Sequence, residues 1–244
     1  MQASGIRRVL LIADSLAFHG PEQPELLTHP GLYPNVMAAA LGAEIDVVAR
    51  FGWTARDAWW ALTKDPTVYS VLLPRADAVV FGVGGMDSLP ASLPTYLREG
   101  IAFIRPGWVR RFVRRTYHRA HPHVVRLTDG RLRVLPQAAT DMFLSRAVQG
   151  IRALHPGVPI VTMTPAPWDS WYYPVNRGHA AAREAALAWA AREDVPILDV
   201  EAIVAPSLID GSGNPDGMHW SWDVHQAIGN GLADLVRHAR MEAE

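Results

Sequence analysis

Three polar side chains near opposite ends of the chain could together carry out acyl transfer. Ser15 directly follows an apolar run, and Asp216 and His219 lie three residues apart in a loop rich in glycine and proline. A serine hydroxyl becomes a nucleophile when a histidine accepts its proton and a carboxylate holds that histidine in the required tautomer. The chain contains no cysteine, which excludes thiolate catalysis. We therefore predict that Ser15 is the nucleophile, His219 the base and Asp216 the residue that orients His219.

Ser15 also has a second interpretation, because serine is a favoured residue at the start of a helix. Its hydroxyl would then only cap the helix that follows the first apolar run. We interpret Asp14 and Asp87 as structural, because carboxylates in such loops readily accept hydrogen bonds from nearby amides. The position of Asp216 and His219 in the last strand-to-helix loop favours the catalytic interpretation of Ser15.

A serine nucleophile also needs donors for the oxyanion of its tetrahedral intermediate, each worth about 2.7–4 kcal/mol. Glycines follow the second and third apolar runs, Gly52 in one case and Gly84 with Gly85 in the other. The backbone N–H groups of these glycines and of Ser15 are the predicted oxyanion donors. The thioether of Met86, the next residue, cannot donate a hydrogen bond.

The elements that must bring these residues together are predicted from hydrophobic patterning. Short apolar runs typical of strands buried on both faces alternate with segments of helical periodicity. The predicted strands span residues 8–14, 44–52, 76–85, 158–165 and 195–200, and the predicted helices span 32–42, 54–63, 140–154, 177–192 and 222–240. This alternation predicts an α/β fold, a three-layer α/β/α sandwich around a parallel five-stranded sheet. Ligand sites in such sheets form at the carboxyl ends of the strands, where Ser15 falls.

Length and composition limit the kind of protein. The chain has 244 residues, 49% of them hydrophobic, and a net charge of −1, which fits one globular domain over residues 1–244. No apolar run is long enough for a signal peptide or a membrane span, so we expect a soluble cytoplasmic protein. No histidine or acidic residues have metal-ligand spacing and no phosphate-binding loop is present, so we expect neither a metal nor a bound cofactor.

Residues 90–137 interrupt the alternation and are interpreted as an insertion. The segment 108–120 has the pattern of an amphipathic helix, with Trp108 and Phe112 on its apolar face and arginines on the other.

Arginine dominates this insertion, with nine arginines and one acidic residue between positions 105 and 133. Guanidinium groups bind phosphates and carboxylates through paired hydrogen bonds. The predicted anion-binding residues are Arg110, Arg111, Arg114 and Arg115. The alternative is a solvated helix face without a ligand. A nucleic-acid partner would also fit clustered arginines, but the near-neutral net charge and the predicted catalytic loops disfavour it.

Tryptophans lie close to the predicted base and after the fourth strand. Trp220 and Trp222 follow His219, whereas Trp168 and Trp171 follow the fourth predicted strand. Aromatic faces in a cleft suit the C–H surface of a sugar or an acyl chain, so we predict that all four contact substrate. The alternative is that they pack in the core.

The motifs resemble the SGNH, or GDSL, hydrolase superfamily over nearly the length of the chain. The first family block, Gly-Asp-Ser-Leu, corresponds to "ADSL" at residues 13–16, and the last, Asp-x-x-His, to "DGMH" at 216–219. The glycine of the second block matches Gly52, and "GGMD" at 84–87 corresponds to Gly-x-Asn-Asp. One such tetrapeptide alone is weak evidence, whereas four in the right order, each after the expected strand, are specific. The resemblance implies a flavodoxin-like sheet and a serine esterase mechanism.

Two positions depart from the family pattern. Ala13 replaces the first glycine, which requires only that this position has no positive φ. Met86 replaces the asparagine whose amide is an oxyanion donor in the family. The resemblance therefore implies that a backbone N–H group takes over this role here.

A closer resemblance involves "RRVLLIADSLAFHGP", "NPDGMHWSWDVH" and residues 48–98. These stretches are similar to mycobacterial octanoyltransferases of methylglucose lipopolysaccharide biosynthesis. That resemblance implies transfer of an octanoyl group from acyl-coenzyme A to a glucose hydroxyl of a glucosylglycerate acceptor. The residues alone support only serine acyl chemistry. Two alternatives remain: an esterase or thioesterase that uses water as acceptor, and a non-catalytic module that binds carbohydrate or nucleic acid.

Overall fold

The computed structural model describes residues 5–243 and contains a parallel sheet of five strands. Strands β1 to β5 span Arg8–Ala13, Glu44–Ala49, Ala78–Gly82, Ile160–Met163 and Ile197–Leu198. Their order across the sheet is β2-β1-β3-β4-β5, and each neighbouring pair is parallel. The predicted α/β fold with a parallel five-stranded sheet is therefore confirmed.

Helices connect the strands and cover both faces of the sheet. Within residues 5–243, helices α1 to α9 span Tyr33–Leu41, Ala55–Lys64, Gly85–Ser88, Thr95–Gly100, Gly107–Leu127, Gln137–Leu154, His179–Glu193, Glu201–Asp210 and Trp222–Ala243. Val9 and Leu11 of β1 point to one face and pack with residues of α1 and α9. Leu10 and Ile12 point to the other face and pack with residues of α2, α6 and α7. Burial on both faces explains why β1 is a continuous apolar run rather than an alternating one.

The register of the three neighbouring strands β2, β1 and β3 brings the predicted site segments to one edge. Ala13, the last residue of β1, pairs with Ala49 of β2 and with Gly82 of β3. The three strands therefore end at the same level. Ser15 and the glycines that follow β2 and β3 consequently lie beyond the same edge of the sheet.

The short helices α3 and α4 were not predicted, and β5 and α8 also differ from the sequence prediction. Strand β5 has two residues where the pattern predicted 195–200, because it lies at the sheet edge and pairs only with β4. Helix α8 was not predicted, because Pro206 in its interior removes one backbone donor and interrupts the helical pattern. Tertiary packing of Val204 into the core stabilises the helix despite this loss.

The insertion contains α4 and α5, and the apolar face of α5 is exposed near the start of that helix. Trp108 and Phe112 of α5 are each 66% exposed. The first half of α5 packs beside residues 101–103 and leaves these two side chains uncovered. An amphipathic pattern predicts the helix but does not show whether another element covers its apolar face.

Candidate active site

Ser15 begins a single 3₁₀ turn, Ser15–Ala17, directly after β1. Asp14 caps this turn, since its Oδ1 accepts a hydrogen bond of 3.0 Å from the N–H of Leu16. Ser15 is only 7% exposed, and its hydroxyl lies 3.1 Å from Nε2 of His219. The capping role that was the alternative for Ser15 therefore belongs to Asp14.

Asp216 and His219 lie in the loop between α8 and α9. Nδ1 of His219 lies 2.6 Å from Oδ2 of Asp216. Oδ1 of Asp216 accepts hydrogen bonds from the N–H groups of Met218 and His219, at 2.9 and 3.1 Å. Because the carboxylate requires a donor, the proton of the neutral imidazole resides on Nδ1, and Nε2 is left to accept the proton of Ser15.

The surroundings of Asp216 keep this carboxylate charged. Burial acts to raise its pKa, but hydrogen bonds from His219 and from backbone N–H groups outweigh burial and lower the pKa below its usual value. A charged Asp216 stabilises the imidazolium that forms when His219 takes a proton. The structure thus brings Ser15, His219 and Asp216 into one hydrogen-bonded chain, and their catalytic roles stay predictions.

Gly217 lies between Asp216 and His219 and fixes their loop in place. It has a φ of +71°, and its carbonyl accepts a hydrogen bond of 2.9 Å from the N–H of Asp169. A Cβ at Gly217 would lie 1.7 Å from the carbonyl oxygen of Asp169. Only glycine therefore fits at this contact between the loop and the segment after β4.

Ser15 and His219 face a narrow pocket with a largely apolar wall. Its volume is about 40 Å³. The pocket is lined by Asp14, Ser15, Leu16, Gly85, Met86, Leu89, Ala166, Pro167, Trp168, Met218 and His219. Because methionine side chains are flexible, Met86 and Met218 can move to widen the pocket for an apolar group.

The four predicted oxyanion residues do not lie equally close to this pocket. Ser15 and Gly85 line it, and the backbone N–H of neither donates to another group within residues 5–243. Gly52 lies behind Met86, whose Cε is 3.8 Å from the position that a Cβ of Gly52 would take. Gly84 lines a separate small cavity instead. The geometry favours Ser15 and Gly85 as donors, and it does not place Gly84 at the pocket.

Asp87 fixes the loop that carries Gly85. Its Oδ2 accepts a hydrogen bond of 3.1 Å from the N–H of Ala55, and its Oδ1 accepts one of 2.9 Å from the hydroxyl of Thr140. Burial raises the pKa of Asp87 to about 7 and that of Asp14 to about 6. Both carboxyl groups act as acceptors for loop and helix donors, the structural role that the sequence indicated.

The four tryptophans predicted to contact substrate lie in different surroundings. Trp168 lines the pocket, and its indole N–H donates to the carbonyl of Tyr173. Trp220 is 1% exposed within the core, and Trp222 stacks on His29. Trp171 is exposed in a different cleft, beside α5. The expectation of one aromatic substrate wall is thus corrected, because Trp220 packs with the core and neither Trp171 nor Trp222 lines the pocket.

The predicted arginines divide between two clefts of the insertion. Arg110, Arg111 and Arg114 line one cleft together with Arg98 of α4. Arg115 lines a neighbouring cleft that includes Trp171. Since α5 turns successive side chains by about 100°, the four arginines named from the sequence cannot all face one ligand.

His19 lies outside the family motifs but contacts the predicted base directly. Its ring stacks on that of His219, with centroids 3.7 Å apart and an angle of 18° between the planes. Nδ1 of His19 lies 2.7 Å from the carbonyl of Gly20 and must therefore carry the proton. Burial lowers the pKa of His19, and the neighbouring His219 lowers it further, so the ring is neutral at neutral pH. A neutral ring stacked in this position holds the imidazole of His219 in place.

We expect His19→Ala to lower kcat about tenfold with KM unchanged, because the stacked ring positions the base that acts in the chemical step. His19→Phe keeps an aromatic ring that can stack on His219 and is expected to stay within about threefold of wild-type kcat. Steady-state kinetics with a saturable acyl ester separates the two parameters. Equal losses in both variants would show that the ring contact has no positioning role.

Two further features concern metals and membranes. In the described part of the chain, no group of three or more histidine and acidic side chains is placed to hold a metal ion. Among residues 5–243, no helix is both long enough and apolar enough to cross a lipid bilayer.

Comparison with known proteins agrees with this geometry. The model of the GDSL-like lipase/acylhydrolase family matches residues 14–227, which includes Ser15, Asp216 and His219. The diglucosylglycerate octanoyltransferase of Mycobacterium tuberculosis is 40% identical over 236 residues, covering 96% of this chain and 92% of that protein. The enzyme of the same name from Mycolicibacterium hassiacum is 41% identical over 243 residues, covering 98% of each chain.

Solved structures show the same fold at lower sequence similarity. The lipase/acylhydrolase from Enterococcus faecalis superimposes with a TM-score of 0.63 at 17% identity and covers 96% of both chains. At this identity the match supports the fold and carries no information on the substrate.

Proposed function

We propose, from the premise that this chain belongs to the GDSL-like lipase/acylhydrolase family, that it is a serine acyltransferase. The reaction is transfer of an octanoyl group from acyl-coenzyme A to a glucose hydroxyl of diglucosylglycerate. The observation that carries the chemistry is the hydrogen-bonded chain from Ser15 through His219 to Asp216. Similarity over nearly the full length to two enzymes named diglucosylglycerate octanoyltransferase supports the octanoyl group and the diglucosylglycerate acceptor.

In the first half of the proposed reaction, Ser15 Oγ attacks the thioester carbonyl while Nε2 of His219 takes its proton. The N–H groups of Ser15 and Gly85 donate to the oxyanion of the tetrahedral intermediate, where preorganised donors act most strongly. Collapse of the intermediate breaks the carbon–sulfur bond, and His219 returns the proton to the leaving thiolate. An octanoyl ester of Ser15 and free coenzyme A result.

In the second half, a glucose hydroxyl of the acceptor occupies the position vacated by the thiol. Nε2 of His219 takes the hydroxyl proton as the oxygen attacks the acyl carbonyl. The second intermediate collapses with cleavage of the bond to Ser15 Oγ, which recovers the proton from His219. Asp216 holds the imidazole in the same tautomer through both halves.

The apolar pocket beside Ser15 supports an acyl group as the transferred unit. Leu16, Leu89 and Trp168 form fixed apolar walls, and the two methionines are the adaptable ones. Octanoyl burial replaces contacts with water by contacts with these side chains, at roughly 25 cal/mol per Å² of apolar surface. We place the reaction in the cytoplasm, in methylglucose lipopolysaccharide biosynthesis.

A second candidate is an esterase or thioesterase that passes the acyl group to water. The family description and the Enterococcus faecalis neighbour both refer to hydrolases, and the first half of the mechanism would be identical. A non-catalytic binding module is disfavoured, because binding alone does not require a histidine that is hydrogen-bonded to both a serine hydroxyl and a carboxylate.

The test is incubation with octanoyl-coenzyme A, with and without diglucosylglycerate, followed by mass spectrometry of the products. At saturating acceptor we expect the octanoyl ester of diglucosylglycerate to exceed free octanoate at least tenfold, since a bound hydroxyl reacts at high effective molarity. A reaction without acceptor measures the hydrolytic background. Free octanoate as the main product at saturating acceptor would refute the transferase and support the hydrolase.

A further inference from the structure

The insertion forms a second, larger cleft outside the Ser15 pocket. It lies between α4 with the following turn and the first half of α5, and its volume is about 560 Å³. It is lined by Arg98, Ile101, Ala102, Arg110, Arg111, Arg114, Tyr117 and His118. A volume of this order is typical of small-molecule sites.

The four arginines of this cleft lack the carboxylate partner that seven other arginines of residues 5–243 have. Arg8, Arg75 and Arg183, for example, each lie within ion-pair distance of an aspartate. None of the ion pairs found within residues 5–243 involves an arginine of the cleft. The cleft therefore concentrates positive charge that no carboxylate of the described chain neutralises.

His118, which lines the cleft, and the nearby His121 both lie close enough to its arginines for the positive charge to affect their pKa values. Burial lowers the pKa of His118, and the Arg114 guanidinium lowers it further. Burial also lowers the pKa of His121 to about 4, with Arg98 adding to the effect. The arginines therefore add to the effect of burial and further disfavour a positive charge on either histidine.

We propose that this cleft binds the phosphorylated nucleotide end of the acyl donor. This assignment rests on the proposed function, because the ligand that it names is the acyl donor of that reaction. A single glycerate carboxylate can engage only one or two guanidinium groups, whereas a nucleotide with a diphosphate and a further phosphate can engage all four. Ile101, Ala102 and the ring of Tyr117 provide apolar surface for a base beside the phosphates.

A continuous set of contacts links this cleft to Ser15. Nδ1 of His118, at the cleft, lies 2.9 Å from the hydroxyl of Tyr172. The ring of Tyr172 is 4.9 Å from that of Tyr173, whose carbonyl accepts the indole N–H of Trp168. Trp168 lines the Ser15 pocket. A ligand with phosphates in the cleft and a thioester on an extended arm would cross these aromatic residues to reach the nucleophile.

The test compares two double variants with the same change in net charge. Arg98→Gln/Arg114→Gln removes one guanidinium from each side of the cleft. Arg131→Gln/Arg146→Gln removes two exposed arginines that do not line it. Calorimetric titration with coenzyme A and with adenosine 3′,5′-bisphosphate measures binding, and circular dichroism verifies folding. We expect the cleft variant to weaken both ligands about 30-fold and the control variant less than threefold.

Kinetics separate this proposal from the proposed function. In the cleft variant we expect the KM of octanoyl-coenzyme A to rise about 30-fold, with the KM of diglucosylglycerate and the turnover of p-nitrophenyl octanoate, which lacks phosphates, unchanged. If the cleft variant loses coenzyme A binding but the wild-type protein does not transfer octanoyl groups, the cleft is supported as a coenzyme A site and the proposed transferase activity is refuted. If the wild-type protein transfers octanoyl groups but both double variants bind coenzyme A equally well, the cleft assignment is refuted and the proposed transferase activity stands. A rise in the acceptor KM instead, or tighter arginine-dependent binding of a single-stranded oligonucleotide, would overturn the assignment.

Discussion

Replacing Ser15 with alanine is expected to lower kcat for octanoyl transfer by about 10³–10⁶ without altering the fold. The hydroxyl is the only nucleophile within 3.1 Å of His219 Nε2 in the described residues, and no acyl-enzyme can form without it. His219→Ala is expected to cost as much, because both steps need the same proton acceptor. Asp216→Asn leaves the base in place but removes the charge that favours its imidazolium, so we expect a loss of about 10⁴ or less.

The control for Ser15→Ala is Ser207→Ala. Both serines are 7% exposed, but the Ser207 hydroxyl donates to a carbonyl within its own helix and does not line the pocket. We expect Ser207→Ala to keep wild-type turnover. The measurement is steady-state octanoyl transfer, with thermal unfolding followed by circular dichroism. A folded Ser15→Ala protein with wild-type kcat would exclude Ser15 as the nucleophile.

The sequence was most informative where local pattern and chemistry coincide. The apolar run before Ser15 predicted a buried strand, and a residue directly after a parallel strand must lie at the ligand edge of the sheet. The spacing of Asp216 and His219 allows their side chains to meet within one loop, and their hydrogen bond of 2.6 Å shows that they do. The first relation follows from sheet topology and the second from short sequence spacing, and both can be deduced from a single sequence.

Relations that depend on tertiary packing could not be predicted in this way. Trp168 and Trp220 both lie in segments near the candidate active site. Trp220 packs in the core, whereas Trp168 lines the pocket. Gly84 and Gly85 are neighbours, but a φ of +110° at Gly84 directs the two residues to different cavities. The contribution of Arg98 was missed because α4 and α5 meet only in the folded insertion.

Gly217→Ala is expected to displace the loop that carries Asp216 and His219. A methyl group at residue 217 would lie 1.7 Å from the backbone oxygen of Asp169, so backbone must move on one side of this contact. The positive φ of +71° adds strain of about 1–2 kcal/mol for a residue with a Cβ, and overpacking typically adds about 1–3 kcal/mol. We therefore expect the free energy of unfolding to fall by about 2–5 kcal/mol.

Gly217→Ala should lower kcat by more than backbone strain alone would. Gly211→Ala is the control that separates the effect of strain from the effect of the contact with Asp169. Gly211 has nearly the same φ, +67°, but a Cβ there meets no atom within 4 Å. Gly211→Ala should lose about 1–2 kcal/mol of stability and keep its kcat. In Gly217→Ala, a shift of about 1 Å in His219 relative to Ser15 should lower kcat about 100-fold in the molecules that remain folded. Denaturant unfolding and kinetics below the unfolding transition measure both quantities. If Gly217→Ala lost stability but kept wild-type kcat, the contact with Asp169 would support only the fold, and the position of His219 would have to be fixed by Asp216 and the stacked His19 instead.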